Sequence, residues 1–133
     1  CILLCQSFLS HNTIIKSLDI SYNLITTPGL QYLCDNTLSS PSPSSSLSSS
    51  NDNNKNYNST ITELDISSIG YVLNVGTIIN RMLTSSNNNL SILRMRNNKL
   101  NGDDIKQISN ALSHHSIHCK LKELDLSENH IST

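Results

Sequence analysis

Tryptophan is absent, phenylalanine occurs once, and aromatic residues make up only 4% of the 133 residues. A core built around large aromatic side chains is therefore excluded. With four glycines, a Gly-rich phosphate loop is excluded as well, and neither G-x-S-x-G nor another nucleophile set is present. No enzymatic activity and no cofactor are expected. Charged residues are few, 14%, and nearly cancel to a formal net charge of −1. There is no basic excess to attract nucleic acid or an acidic membrane surface. No run reaches the roughly 18 apolar residues that a membrane-spanning helix needs. The four cysteines (Cys1, Cys5, Cys34 and Cys119) are scattered, whereas disulfide-dense secreted domains use more in a short chain. They are expected to be reduced thiols in a cytosolic or nuclear protein, each packed as a small buried hydrophobe. The opening Cys1-Ile2-Leu3-Leu4-Cys5 is too short for a secretory apolar region and lacks a basic lead. A fragment of a longer chain is expected, with any targeting signal lying outside it.

What the chain has in excess is Ser and Asn, 24 and 18 residues. Some of this excess belongs to a repeat. Four segments share one apolar pattern: Ile15-x-x-Leu18-x-Ile20-x-x-Asn23-x-Ile25, Ile61-x-x-Leu64-x-Ile66-x-x-Ile69-x-Tyr71, Leu90-x-x-Leu93-x-Met95-x-x-Asn98-x-Leu100 and Leu121-x-x-Leu124-x-Leu126-x-x-Asn129-x-Ile131. Every apolar slot is aliphatic except Tyr71. The pattern matches L-x-x-L-x-L-x-x-N-x-L, and the chain resembles a leucine-rich repeat protein. The segments start 46, 29 and 31 residues apart (15 to 61, 61 to 90, 90 to 121). Repeats this long have room for a full helix after each strand, and the spacing resembles the intracellular ribonuclease-inhibitor-like subclass.

Helix signals follow each strand. Thr27 at the N-cap and Pro28 at the first helical position open a run whose inward face is Leu30, Leu33 and Cys34. Asp103 and Asp104 suit the positive end of a helix dipole ahead of Ile105, Ile108, Ala111 and Leu112. Ile78, Ile79, Met82 and Leu83 form the equivalent face in the second repeat, shifted by about one residue. Ile2 to Leu9 reads as the tail of a helix from a preceding repeat. The Asn slot sits at the inward bend, where an amide can satisfy backbone groups that leave the sheet. Asn23, Asn98 and Asn129 fill it. Ile69 does not, so a distorted or water-filled bend is expected there.

The other part of the excess is a tract. Residues 39–60 contain ten Ser and five Asn, with Leu47 and Tyr57 the only sizeable apolar side chains. Such a segment buries too little apolar surface to offset its ordering entropy. A disordered insertion within one repeat domain spanning 1–133 is expected. Ser40-Pro41 and Ser42-Pro43 fit proline-directed kinases, but an unmodified spacer is the simpler reading. Asn58-Ser59-Thr60 is a glycosylation sequon that matters only in a secreted protein.

Three columns of side chains alternate with the inward positions: Ser17, Glu63, Ile92, Glu123; Asp19, Asp65, Arg94, Asp125; and Ser21, Ser67, Arg96, Ser127. Arg94 is placed between Asp65 and Asp125, where ion pairing would relieve carboxylate repulsion. His114, His115, His118 and Cys119 hold zinc-compatible donors. No second Cys/His pair lies at a finger spacing, and His suits a helix C-terminus, so no metal is expected.

The resemblance implies an α/β fold: an open leucine-rich repeat solenoid with parallel concave strands and convex helices. It implies a protein-binding scaffold whose concave face would use Asp19, Glu63, Asp65, Arg94, Arg96, Glu123 and Asp125. A protein partner is expected, with no nucleic acid, membrane or metal, in a cytoplasmic setting, cytoskeletal or axonemal included. The family also holds GTPase-activating proteins for Ran and extracellular receptor ectodomains, and fold alone does not choose among these.

Overall fold

The computed structural model describes residues 1–9, 11–38, 60–86, 88–113 and 119–131. Four three-residue strands, β1 (Ser17–Asp19), β2 (Glu63–Asp65), β3 (Ile92–Arg94) and β4 (Glu123–Asp125), form one open parallel sheet in the order β1-β2-β3-β4. The register follows the sequence pattern. Leu18, Leu64, Leu93 and Leu124 lie side by side, as do Asp19, Asp65, Arg94 and Asp125. Helices α2 (Thr27–Leu33), α3 (Val75–Thr84) and α4 (Gly102–Ser113) cross over between the strands. This is an α/β repeat fold, with each parallel pair joined by a helical crossover. The units are numbered 1 to 4 after their strands. A short α1 (Ile2–Leu4) runs ahead of unit 1. Both α1 and α2 widen into π-helical turns, Cys5–Leu9 and Cys34–Leu38.

The core lies between sheet and helices. Leu64 and Leu93 are fully buried on the inner strands, with Ile66, Ile79, Met82, Leu83 and Leu90 around them. Each such side chain contributes about 1.5–3 kcal/mol of burial. On the outer strands Leu18 and Leu124 are only half-buried. A unit buries its apolar positions against its neighbours, so burial fades toward both ends of the sheet.

Several local expectations are corrected. The N-cap of α2 is Thr26, with extended backbone, one residue before Thr27. The Thr27 hydroxyl instead accepts the Leu73 N–H at 2.9 Å and ties unit 2 to unit 1. At α4 Asp103 and Asp104 do stand in the first turn, and the cap ahead of them is Asn101. Its Oδ1 accepts the N–H groups of Asp103 and Asp104 at 2.9 and 3.0 Å, and Asp104 Oδ2 accepts the Asn101 N–H at 3.2 Å. That reciprocal pair is a capping box. Leu112, expected on the inner face of α4, is 44% exposed, while Ile108 and Ala111 are buried. Cys5 and Cys34 are buried and Cys119 is half-buried, but Cys1 is exposed.

The bend of unit 2 is neither distorted nor hollow. Ile69 is itself buried there; its N–H donates to Asn98 Oδ1 at 3.0 Å and its C=O accepts the Ile25 N–H at 3.0 Å. The departure comes just after it. Gly70 has φ +92, a left-handed value that favours glycine. The chain swings out, so Tyr71 is 71% exposed and Val72 enters the core in its place. The insertion at 39–60 lies outside the described residues apart from Thr60, whose hydroxyl donates to the Ile15 C=O at 2.8 Å.

Candidate protein-binding face

The face of the sheet opposite the helices carries the side chains that alternate with the buried leucines. Its backbone is repetitive. Asp19 Oδ1 accepts the Ser21 N–H, Asp65 Oδ1 the Ser67 N–H and Asp125 Oδ1 the Ser127 N–H, each at 2.9 Å. The recurring Asp-x-Ser is thus a strand-ending side-chain turn, in which the carboxylate supplies the acceptor that the departing strand loses. Unit 3 has Arg94-x-Arg96 instead. There the Arg96 N–H donates to Ser67 Oγ at 3.1 Å.

This capping moves the ion pairs away from their expected partners. Arg94 does stand between Asp65 and Asp125 in register. Its guanidinium, however, pairs with Glu123 at 3.2 Å in the adjoining column. The aspartates are turned toward their own serines, and Glu123 has the longer reach. Arg96 pairs with Glu128 of the following turn, a residue outside the three columns that the sequence singles out. One further step along the repeat locates it: Tyr22, Ser68, Asn97 and Glu128 occupy one turn position, and all four have φ between 53 and 57. Asp19, Glu63, Asp65 and Asp125 take part in none of the three ion pairs among the described residues; the third joins Arg81 to Asp35 at 2.7 Å in the helix layer.

The electrostatics follow from these contacts. The Ser21 hydroxyl and N–H hold the Asp19 carboxyl below its usual range, and Ser127 does the same for Asp125. The Arg96 guanidinium holds Glu128 low and is itself raised by it. Burial pushes the Cys34 thiol well up, leaving it a packed, protonated side chain. The seven predicted face residues are therefore on one side of one sheet, with the two arginines paired to Glu123 and Glu128 and four carboxylates, Asp19, Glu63, Asp65 and Asp125, outside the ion pairs of the described residues.

Among the described residues no group of three or more His, Cys, Asp or Glu is placed to hold a metal ion, and no helix is long and apolar enough to cross a membrane. His114, His115 and His118 lie outside the described residues; Cys119 packs against the core.

No curated protein and no solved structure matches the chain at a significant level. The family profile described as Leucine Rich repeat matches residues 11–34 and 118–133. These two stretches hold β1 with its turn and the whole of α2, and β4 with its turn. Together with the parallel register, the two matches support a leucine-rich repeat protein.

Proposed function

We propose that this chain is a protein-binding scaffold of the ribonuclease-inhibitor-like subclass. Its sheet and helices are read as part of an open solenoid in a cytoplasmic protein. The partner is read as docking on the concave face, where Asp19, Glu63, Asp65, Arg94, Arg96, Glu123 and Asp125 stand. Leucine-rich repeats are generally protein-interaction modules, which supports the class. The observation that carries the choice of face is the register: parallel pairing sets charged side chains from four strands in rows on one exposed surface. Exposed ion pairs such as Arg94–Glu123 contribute little to stability, so a partner can re-pair them at small cost.

The test is a titration with a partner isolated on the wild-type chain. Arg94→Glu and Asp125→Lys are compared with Lys106→Glu on the exposed side of α4, after folding is confirmed by circular dichroism. The first two are expected to weaken binding about tenfold, chiefly through the association rate and its salt dependence. Equal binding by all three would move the interface off this face.

A further inference from the structure

Of the 18 asparagines one is followed by glycine, in Asn101-Gly102. Such a pair sets a side-chain amide carbon one ring closure away from the next backbone nitrogen, and glycine has no Cβ to hinder the approach. Conformation does not call for glycine at this place. Gly70 has left-handed backbone and Gly76 lies against the Asp104 backbone. Gly102 is exposed, begins α4 and has no positive φ. At the first helical position its N–H has no acceptor within the helix. Asn101 is exposed beside it, on a recess of about 410 Å3 between the turn of unit 2 and the start of α4, so water and hydroxide reach both groups.

The Asn101 side chain is nevertheless held. Its Oδ1 accepts the Asp103 and Asp104 N–H groups at 2.9 and 3.0 Å, and the Asn101 N–H donates to Asp104 Oδ2 at 3.2 Å. The other Asp104 oxygen accepts the Gly76 N–H at 2.9 Å. Asn101 thus closes the first turn of α4, and Asp104 latches that turn to α3. Attack on the amide carbon makes it tetrahedral and takes its oxygen away from the two N–H groups. The closed turn resists that movement. A single helical turn opens locally at far lower cost than the whole fold, and each opening releases the side chain.

We propose that Asn101 is a deamidation site, restrained by the cap it forms, whose conversion loosens the seam between α3 and α4. The Gly102 nitrogen gives its proton to hydroxide and attacks the Asn101 Cγ. The new C–N bond forms, the Cγ–Nδ2 bond breaks, and the amide nitrogen leaves as ammonia with a proton from water. Water then opens the cyclic imide. Cleavage between the ring nitrogen and Cγ leaves aspartate, which caps a helix about as well as asparagine. Cleavage between the ring nitrogen and the main-chain carbonyl carbon leaves isoaspartate, and the chain then runs through Cβ and Cγ, one atom longer. The oxygen that capped Asp103 and Asp104 becomes a main-chain carbonyl, and Asp104 loses the frame that sets it against Gly76. The proposal does not rest on the reading of the strand face as a partner site.

The experiment incubates the full chain at mildly alkaline pH, native and in urea. Peptide mapping then resolves asparagine, aspartate and isoaspartate at each position. In urea Asn101 is expected to convert before the other asparagines, and in the native chain more slowly than in urea. Asp104→Ala removes the partner of the Asn101 N–H and should speed conversion of the folded chain, with folding confirmed by circular dichroism. Gly102→Ala stands where a helix favours alanine and should stop the reaction. Chain enriched in isoaspartate at 101 should exchange the Gly76 N–H faster than fresh chain, while the Ile69 N–H, held by Asn98, keeps its protection. An Asn101 that stays intact in urea, or that converts regardless of Gly102→Ala, overturns the assignment of the site. Equal rates folded and unfolded, or no acceleration in Asp104→Ala, would overturn the restraint by the cap. Unchanged Gly76 exchange after conversion would overturn the link to the seam.

Discussion

The side-chain oxygen of Asn129 accepts the backbone N–H of Asn98 at 2.8 Å, and Asn98 repeats the gesture one unit back, accepting the Ile69 N–H at 3.0 Å. The Asn98 Nδ2 also donates to the Ile66 C=O at 2.7 Å. Asn98 is only 6% exposed, so neither backbone group has ready access to water. An unsatisfied buried donor or acceptor costs about 1–3 kcal/mol. Asn98→Ala is accordingly expected to lose about 3 kcal/mol in urea denaturation. Asn23→Ala should lose less than about 1 kcal/mol, because Asn23 is exposed and its amide donates only to its own unit, at the Ile20 and Ser21 carbonyls. Equal losses at the two positions would show that reach between units is not what the Asn slot contributes.

A glycine lets α3 and α4 meet at one point, Gly76 against Asp104. A Cβ on Gly76 would lie 2.4 Å from the Asp104 Cα and 2.5 Å from its carbonyl oxygen. That obstacle is backbone, so α3 and α4 would have to part. The Gly76 N–H also donates to Asp104 Oδ1 at 2.9 Å, and separation would break that bond. Gly76→Ala is expected to destabilise by about 3 kcal/mol, at the upper end of overpacking costs. Gly29→Ala provides the contrast. Its Cβ would meet the Cys1 Cβ at 3.3 Å and the Ile25 Cγ2 at 3.4 Å, side chains able to give way. Thermal melts of the two variants should differ in that order; a harmless Gly76→Ala would mean the helices pack more loosely than this.

Legibility in the sequence follows the physics of each feature. Strand register was readable because one apolar period recurs, and a shift would expose Leu64 and Leu93, which are fully buried. Column membership was readable for the same reason. The direction in which a column's side chain turns was not. Asp19, Asp65 and Asp125 look like an outward charge row until their Ser N–H contacts are known, and only then does Glu123 emerge as the partner of Arg94. Tyr71 was misplaced because a fixed period cannot register the outward swing at Gly70. Glu128 was missed because it sits on a turn with left-handed backbone, one position beyond the last column. The Ser/Asn-rich tract and the His cluster lie outside the described residues, apart from Thr60 and Cys119 at their margins.

Acid should act through the same side-chain turns. Asp19 and Asp125 have folded-state values below the ordinary 3.8, chiefly because serine hydroxyls donate to the ionised form, and Glu128 lies below 4.5 because Arg96 does. A group whose value is lowered on folding stabilises the native state above its unfolded value and loses that contribution as pH falls through its folded value. These three carboxyls therefore leave stability flat between neutrality and about pH 5, then withdraw their share below about pH 4. All three are at the surface, so each share is small, and the informative readout is a difference. Asp125→Asn keeps an oxygen for the Ser127 N–H but carries no charge. Its melting temperature should fall below wild type at neutral pH and converge with it as the carboxyl of the wild type is protonated. Carbon-13 titration of wild-type Asp125 should place its midpoint below 3.8. A constant gap between the two melting curves across the acid range would mean that the charge on Asp125 does not stabilise the turn, leaving its oxygen as a neutral acceptor.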